Sequence, residues 1–152
     1  LELRANHPAE GRARLEAALA ADKRHAPAAM ALAALASAEG READADAILE
    51  RFIAHAPHAS EPRWALAVRR LRAGARDAAL ALADDARQIA PALPRNRLLW
   101  SYVRLGAGKA EDAYTELAAL HAEQPADSAV AVLYGDAARG AQHPDEARKA
   151  YA

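Results

Sequence analysis

Three glycines, Gly40, Gly74 and Gly108, stand 34 residues apart, and three prolines, Pro57, Pro91 and Pro125, keep the same spacing. Each glycine precedes its proline by 17 residues. The period is not confined to punctuation. Ala45, Ala79, Ala113 and Ala147 share it, with Gly11 one period earlier. Leu15, Leu49, Ala83, Leu117 and Tyr151 form a further register, and Leu32, Leu66, Trp100 and Tyr134 another. The small residues Ala33, Ala67, Ser101 and Gly135 follow directly after that last set. A period held in so many registers without an insertion constrains the chain to an array, in which one supersecondary unit stacks on its neighbours.

The repeated unit is helical. Between the glycines and prolines, alanine and leucine recur at helical rather than alternating spacing. Apolar residues make up 53% of the 152, but alanine supplies 47 of those 80, and Leu, Ile, Val and Phe together only 26. Alanine is the strongest helix former, and the strand-favouring residues are scarce, which excludes all-β and α/β folds. Each glycine ends a first helix because it accepts the left-handed cap, and each proline ends the second. Pro27, Pro62 and Pro94 lie at or near helix starts, where a missing N–H costs nothing. The spacing predicts a helix over 8–24 and helix pairs over 26–56, 61–90, 94–123 and 127–151. Residues 1–5 read as the tail of a further helix. Ala33, Ala45, Ala67 and Ala79 are expected at the tightest helix–helix contacts.

This spacing resembles the tetratricopeptide repeat (TPR), on the strength of Leu66-Ala67, Gly74, Ala79 and Pro91 in one repeat and Gly108, Ala113, Leu117 and Pro125 in the next. The resemblance implies an all-α fold, a right-handed α-solenoid of antiparallel helix pairs. It divides the chain into a partial repeat 1–25, repeats 26–59, 60–93 and 94–127, and a partial repeat 128–152, all in one domain. Two departures stand out. The family's aromatic slots in the first helix hold Ala29 and Ala36, Arg63 and Arg70, Arg97 and Arg104, then Ala131 and Ala138, and Lys23 replaces the first closing proline. The runs Gly11–Gly40, Ser60–Pro91 and Leu117–Ala150 further resemble the TPR-repeat lipoproteins of bacterial PEP-CTERM/exosortase systems. That likeness implies a periplasmic or outer-membrane-associated scaffold linked to exopolysaccharide export or protein sorting.

Nothing in the chain points to catalysis. With no cysteine, thiol chemistry and zinc–thiolate sites are excluded. The run Gly106-Ala107-Gly108-Lys109 lacks both the earlier glycine and the following Ser or Thr of a phosphate-binding loop. Among six histidines only His55 and His58 are close, and a metal needs three or four convergent ligands. Asp84 and Asp85 point in different directions on a helix, whereas an acid–base pair must face one cleft. No serine lies in a nucleophile-elbow motif. The expected chain is therefore no enzyme and holds no cofactor or metal. No apolar run approaches the ~18 residues of a membrane span.

Charge is uneven along a chain whose net charge is only −1. Residues 61–109 carry 10 basic and 4 acidic groups, and 110–152 carry 3 and 8. Arg63 and Arg70 lie seven apart on one helical face, and Arg97 and Arg104 repeat that spacing one period later. Two readings stand: stems buried between helices with heads paired to neighbouring acids, or a stripe for an anion or acidic partner. Nucleic acid is disfavoured, because the aromatics do not interleave with the basic residues.

The first helix of each pair also carries an apolar stripe: Met30-Ala34, Trp64-Val68-Leu71, Leu98-Tyr102-Leu105, then Val132. In TPR proteins the matching positions line a concave groove, so the resemblance implies a protein- or peptide-binding surface centred on Trp64, Val68, Leu98 and Tyr102. Interhelical core is the competing reading. Pro27, Met30 and Ala34 stand where the family's carboxylate clamp has Lys and Asn, which disfavours chaperone-tail peptides. The expected function is a non-enzymatic protein-interaction scaffold, with a generic cytosolic TPR adaptor binding a peptide or acidic partner as the alternative. Neither end offers a polar cap, so the chain is expected to be a segment of a longer protein and to self-associate through an open solenoid end.

Overall fold

The computed structural model describes residues 8–151. Among these residues the elements are α1 (Pro8–Ala21), α2 (Ala26–Ala38), α3 (Glu42–His55), α4 (Ser60–Arg72), α5 (Arg76–Ile89), α6 (Pro94–Gly106), α7 (Ala110–Glu123), α8 (Ser128–Gly140) and α9 (Pro144–Ala150), with no strand. Helix starts and stops fall within a few residues of those the period predicts. The helix expected over residues 1–5 lies outside the described residues. No described helix is long and apolar enough to cross a membrane.

One turn is built four times. At the ends of α2, α4, α6 and α8 a backbone N–H bonds five residues back, from Arg41 to Ala36, Ala75 to Arg70, Lys109 to Arg104 and His143 to Ala138, at 2.8–2.9 Å. Inside each lies a second bond three residues back, from Gly40, Gly74, Gly108 and Gln142. This pair of bonds is the Schellman cap, which requires a left-handed residue at its centre. Gly40, Gly74 and Gly108 supply it with φ of 74°, 80° and 85°. Gln142, one period on, supplies it at φ 65° without being glycine.

The chain divides into two compact units, Leu1–Leu66 and Ala67–Ala152, with the division inside α4. In the first, α2 packs on both α1 and α3. Its face Ala28, Ala29, Leu32, Ala33 and Ala36 is buried, as are Ala45, Ile48, Leu49 and Phe52 of α3. His25 starts α2, its Nδ1 accepting from the Ala28 N–H at 3.1 Å.

In the second unit each helix from α5 to α9 packs on the next, and the first helices α6 and α8 also touch. Ala113, Leu117, Leu120, Val130 and Ala137 form its core, with Leu98, Leu105, Tyr114, Leu133 and Tyr134 packed around them. Four rings stack in series: His143 on Tyr114 at 4.3 Å, Tyr114 on Tyr134 at 5.7 Å, and Tyr134 on His121 at 5.3 Å. Asp127 caps α8 by accepting from Ala129 and Val130. The small registers are buried throughout: Ala33, Ala67, Ser101 and Gly135 in one, Ala45, Ala79, Ala113 and Ala147 in the other.

Candidate functional site

The stripe read from the sequence separates into two kinds of residue. Leu98 and Leu105 pack against the core of the second unit. Met30, Val68 and Leu71 are half-buried. Trp64 is 4% exposed, which leaves its ring no surface to offer a partner. Tyr102 and Val132 are 37% and 52% exposed and stand on α6 and α8, the two first helices in contact. These are the side chains of the stripe that present apolar area to solvent.

The arginines of the second stripe are engaged with the protein. Arg97 reaches Glu116 on α7 through Nε at 2.5 Å and Glu123 through Nη1 at 2.6 Å. Arg104 makes a bidentate pair with Asp84 of α5 at 2.7 and 2.8 Å and a longer contact to Asp112 at 3.2 Å. Arg63 Nη1 donates to the Ala59 carbonyl at 2.8 Å, within the first unit. Arg70 is half-buried. The guanidiniums of Arg97 and Arg104 thus spend their donors on carboxylates, with stems lying between helices.

Trp100 organises this network. Its Nε1 donates to Asp84 at 2.7 Å, and its ring lies between the guanidiniums of Arg87, 4.3 Å from the centroid, and Arg104, 4.7 Å away. Arg87 in turn pairs with Glu116 at 2.5 Å. The slots that the repeat pattern gives to aromatic packing are here an ionic and cation–π assembly joining α5, α6 and α7. Hydrogen bonds from Glu123 and then Glu116 outweigh the desolvation of Arg97 and raise its pKa above the ordinary value. Burial would push the Glu116 carboxyl up, but the hydrogen bonds from Arg97 and Arg87 overcome it and hold the pKa below 4.5.

The residues weighed for catalysis have structural surroundings. Gly108 is the centre of a cap, and Ser101 donates back to the Arg97 carbonyl at 2.9 Å. Asp84 serves Trp100 and Arg104, while Asp85 is exposed. His55 accepts or donates at the Arg51 carbonyl at 2.7 Å. No group of three or more metal-ligating side chains occurs among the described residues. The Asp84–Trp100–Arg87 assembly was not legible from sequence, because its members are 16, 13 and 3 residues apart on different helices.

No protein-family model matches the chain, and no curated protein matches it in sequence. Solved structures do. The crystal structure of MamA aligns with TM-score 0.71 over 92% of this chain and 82% of its own, at 18% identity. YrrB, described as a TPR protein with an unusual peptide-binding site, aligns with TM-score 0.72 over 95% and 75%, at 14% identity. A tetratricopeptide repeat protein from Parabacteroides merdae aligns with TM-score 0.75 over 94% of this chain, which spans 56% of that longer one, at 15% identity. With the 34-residue period, the repeated caps and these alignments together, the chain has the tetratricopeptide-repeat solenoid fold.

Proposed function

We propose that this chain is a non-enzymatic protein-interaction scaffold that holds a protein or peptide segment on the first-helix face of its repeats. The observation that carries the reading is the pair Tyr102 and Val132, exposed side by side on contacting helices while the rest of the apolar stripe is wholly or partly covered. An exposed tyrosine beside an aliphatic residue combines apolar area with a polar tip, the composition favoured at binding centres. The peptide-binding description of the structurally similar YrrB supports the same reading.

The proposed setting is the bacterial envelope, in an assembly for exopolysaccharide export or exosortase-linked sorting. Its support is the likeness of Gly11–Gly40, Ser60–Pro91 and Leu117–Ala150 to the lipoproteins of those systems. Two experiments test the proposal. Affinity capture from the native host should recover a partner with the wild type and lose it with a Tyr102→Ala/Val132→Ser double variant, a change of about 2 kcal/mol in binding. Equal recovery by both proteins removes this surface from the reading. Fractionation of the host should place the protein with the envelope, and a purely cytosolic pool would leave the generic adaptor.

A further inference from the structure

A cleft of about 520 Å³ runs along α3 in the first unit. One wall is α3 itself, from Arg41 to His55, and the other is α1 through Arg12, Glu16 and Leu19. Ala29 and Leu32 of α2, both buried, lie deepest between them.

The cleft has a cause in sequence. Two periods later, the positions of Ala29, Leu32 and Ala36 hold Arg97, Trp100 and Arg104, and the position of Leu19 holds Arg87. Those four side chains are the assembly that occupies α5, α6 and α7. The first unit keeps the slot and lacks its filler. It also lacks the acids that held the filler, since Ile48 and His55 stand where the second unit has Glu116 and Glu123.

What replaces those acids is positive charge. Four basic side chains line the cleft against the two acids Glu16 and Asp44. Arg12 and Arg41 are tied to Glu39, and Arg41 also to Asp44, which closes that end of the cleft with internal ion pairs. Those hydrogen bonds, from Arg12 and then Arg41, hold the Glu39 carboxyl below its ordinary pKa. At the other end Arg24 Nε donates to the His55 carbonyl at 3.0 Å, bringing the turn after α1 to the end of α3. Lys23 and Arg51 belong to this end, and neither has a carboxylate partner among the described residues.

We propose that this cleft is a docking site for an acidic segment of a partner protein, which inserts an aromatic side chain over Leu32 and sets its carboxylates on Lys23 and Arg51. The aromatic component follows from the slot, which two periods on is filled by an indole among guanidiniums. The acidic component follows from the two uncommitted cations, and a long cleft with both features suits a segment of chain. The site lies on α1 and α3, away from the Tyr102 and Val132 surface, and stands or falls independently of it.

The test is titration of the whole chain with a fluorescein-labelled Glu-Glu-Trp-Glu-Glu peptide. Saturable binding that weakens with added salt is expected. Leu32→Trp, which copies the second unit's own filler, should weaken it by at least about tenfold without lowering Tm, and the surface change Arg51→Glu should weaken it on the order of tenfold. If Leu32→Trp does not fold, Arg51→Glu decides alone. Unchanged binding in Arg51→Glu, equal binding of a Lys-Lys-Trp-Lys-Lys peptide, or absence of binding overturns the proposal. So does equally tight binding of indole-3-acetate, which would make the occupant a free aromatic acid rather than a protein segment.

Discussion

Trp100 donates its indole N–H to Asp84, 2.7 Å away, and the same carboxylate takes both donors of the Arg104 Nη2 contact. One acid on α5 thus fixes the orientation of an aromatic ring and a guanidinium on α6. The two bonds are expected to be cooperative, because each holds Asp84 in the rotamer the other needs. A double-mutant cycle of Asp84→Ala and Trp100→Phe in urea should give a coupling of about 1 kcal/mol. A coupling within error of zero would reduce the pair to two unrelated surface contacts.

Glu116 sets a pH dependence of known sign. Its folded pKa lies below the ordinary 4.5, so the folded state binds its proton more weakly than the unfolded state. The stabilisation is therefore fully present above about pH 5 and is lost as pH falls through the depressed folded value. Glu116→Gln should lower the urea midpoint at neutral pH and flatten its decline below pH 4.5. A variant whose acid limb runs parallel to that of the wild type would show that Arg97 and Arg87 do not perturb the carboxyl.

Gln142 occupies a conformation that its three periodic counterparts reach with glycine. A side chain in the left-handed region crowds its own backbone, at a cost of about 1–2 kcal/mol. Gln142→Gly should therefore raise stability by about 1 kcal/mol, with Gly108→Gln lowering it by a similar amount. Thermal melts of the pair, compared with the wild type, read the effect directly.

Gly135 lies beneath the ring of Tyr151, so an added Cβ would run into that ring. Two effects of Gly135→Ala oppose each other. Mid-helix alanine gains about 0.8–1 kcal/mol over glycine, while Tyr151, 49% exposed, is displaced and its bond to Asp136 at 2.7 Å is lost. The sum is expected to be near zero in global stability. The local signature is not: burial and the Asp136 bond hold the Tyr151 hydroxyl above its ordinary pKa of 10.0, and the variant should bring it back down. NMR titration of the four tyrosines would detect this, and an unchanged Tyr151 would mean that the ring had not moved.

The helices and their caps were legible because each depends on residues close in sequence. The period places every glycine, and Gln142 could have been found by asking what stands 34 residues after Gly108. Exposure was not legible. Trp64, Leu98 and Val132 share one register, yet Trp64 is buried, Leu98 half-buried and Val132 half-exposed. Periodicity gives the face of a helix, whereas exposure depends on which neighbour covers that face. The arginine heads were undecided for a related reason. Arg104 finds acids 20 residues before it and 8 after, and Arg97 finds them 19 and 26 after, separations that only the stacked helices bring together.

The chain has two tryptophans, and one falls in each compact unit: Trp64 before the division, Trp100 after it. Their surroundings differ, one indole sealed in the interior and the other half-buried between two guanidiniums. The molecule therefore carries two native fluorophores of different colour, one for each half. With either replaced by phenylalanine, the remaining emission reports on a single unit, so whether the halves melt together or in sequence can be read without attaching any label.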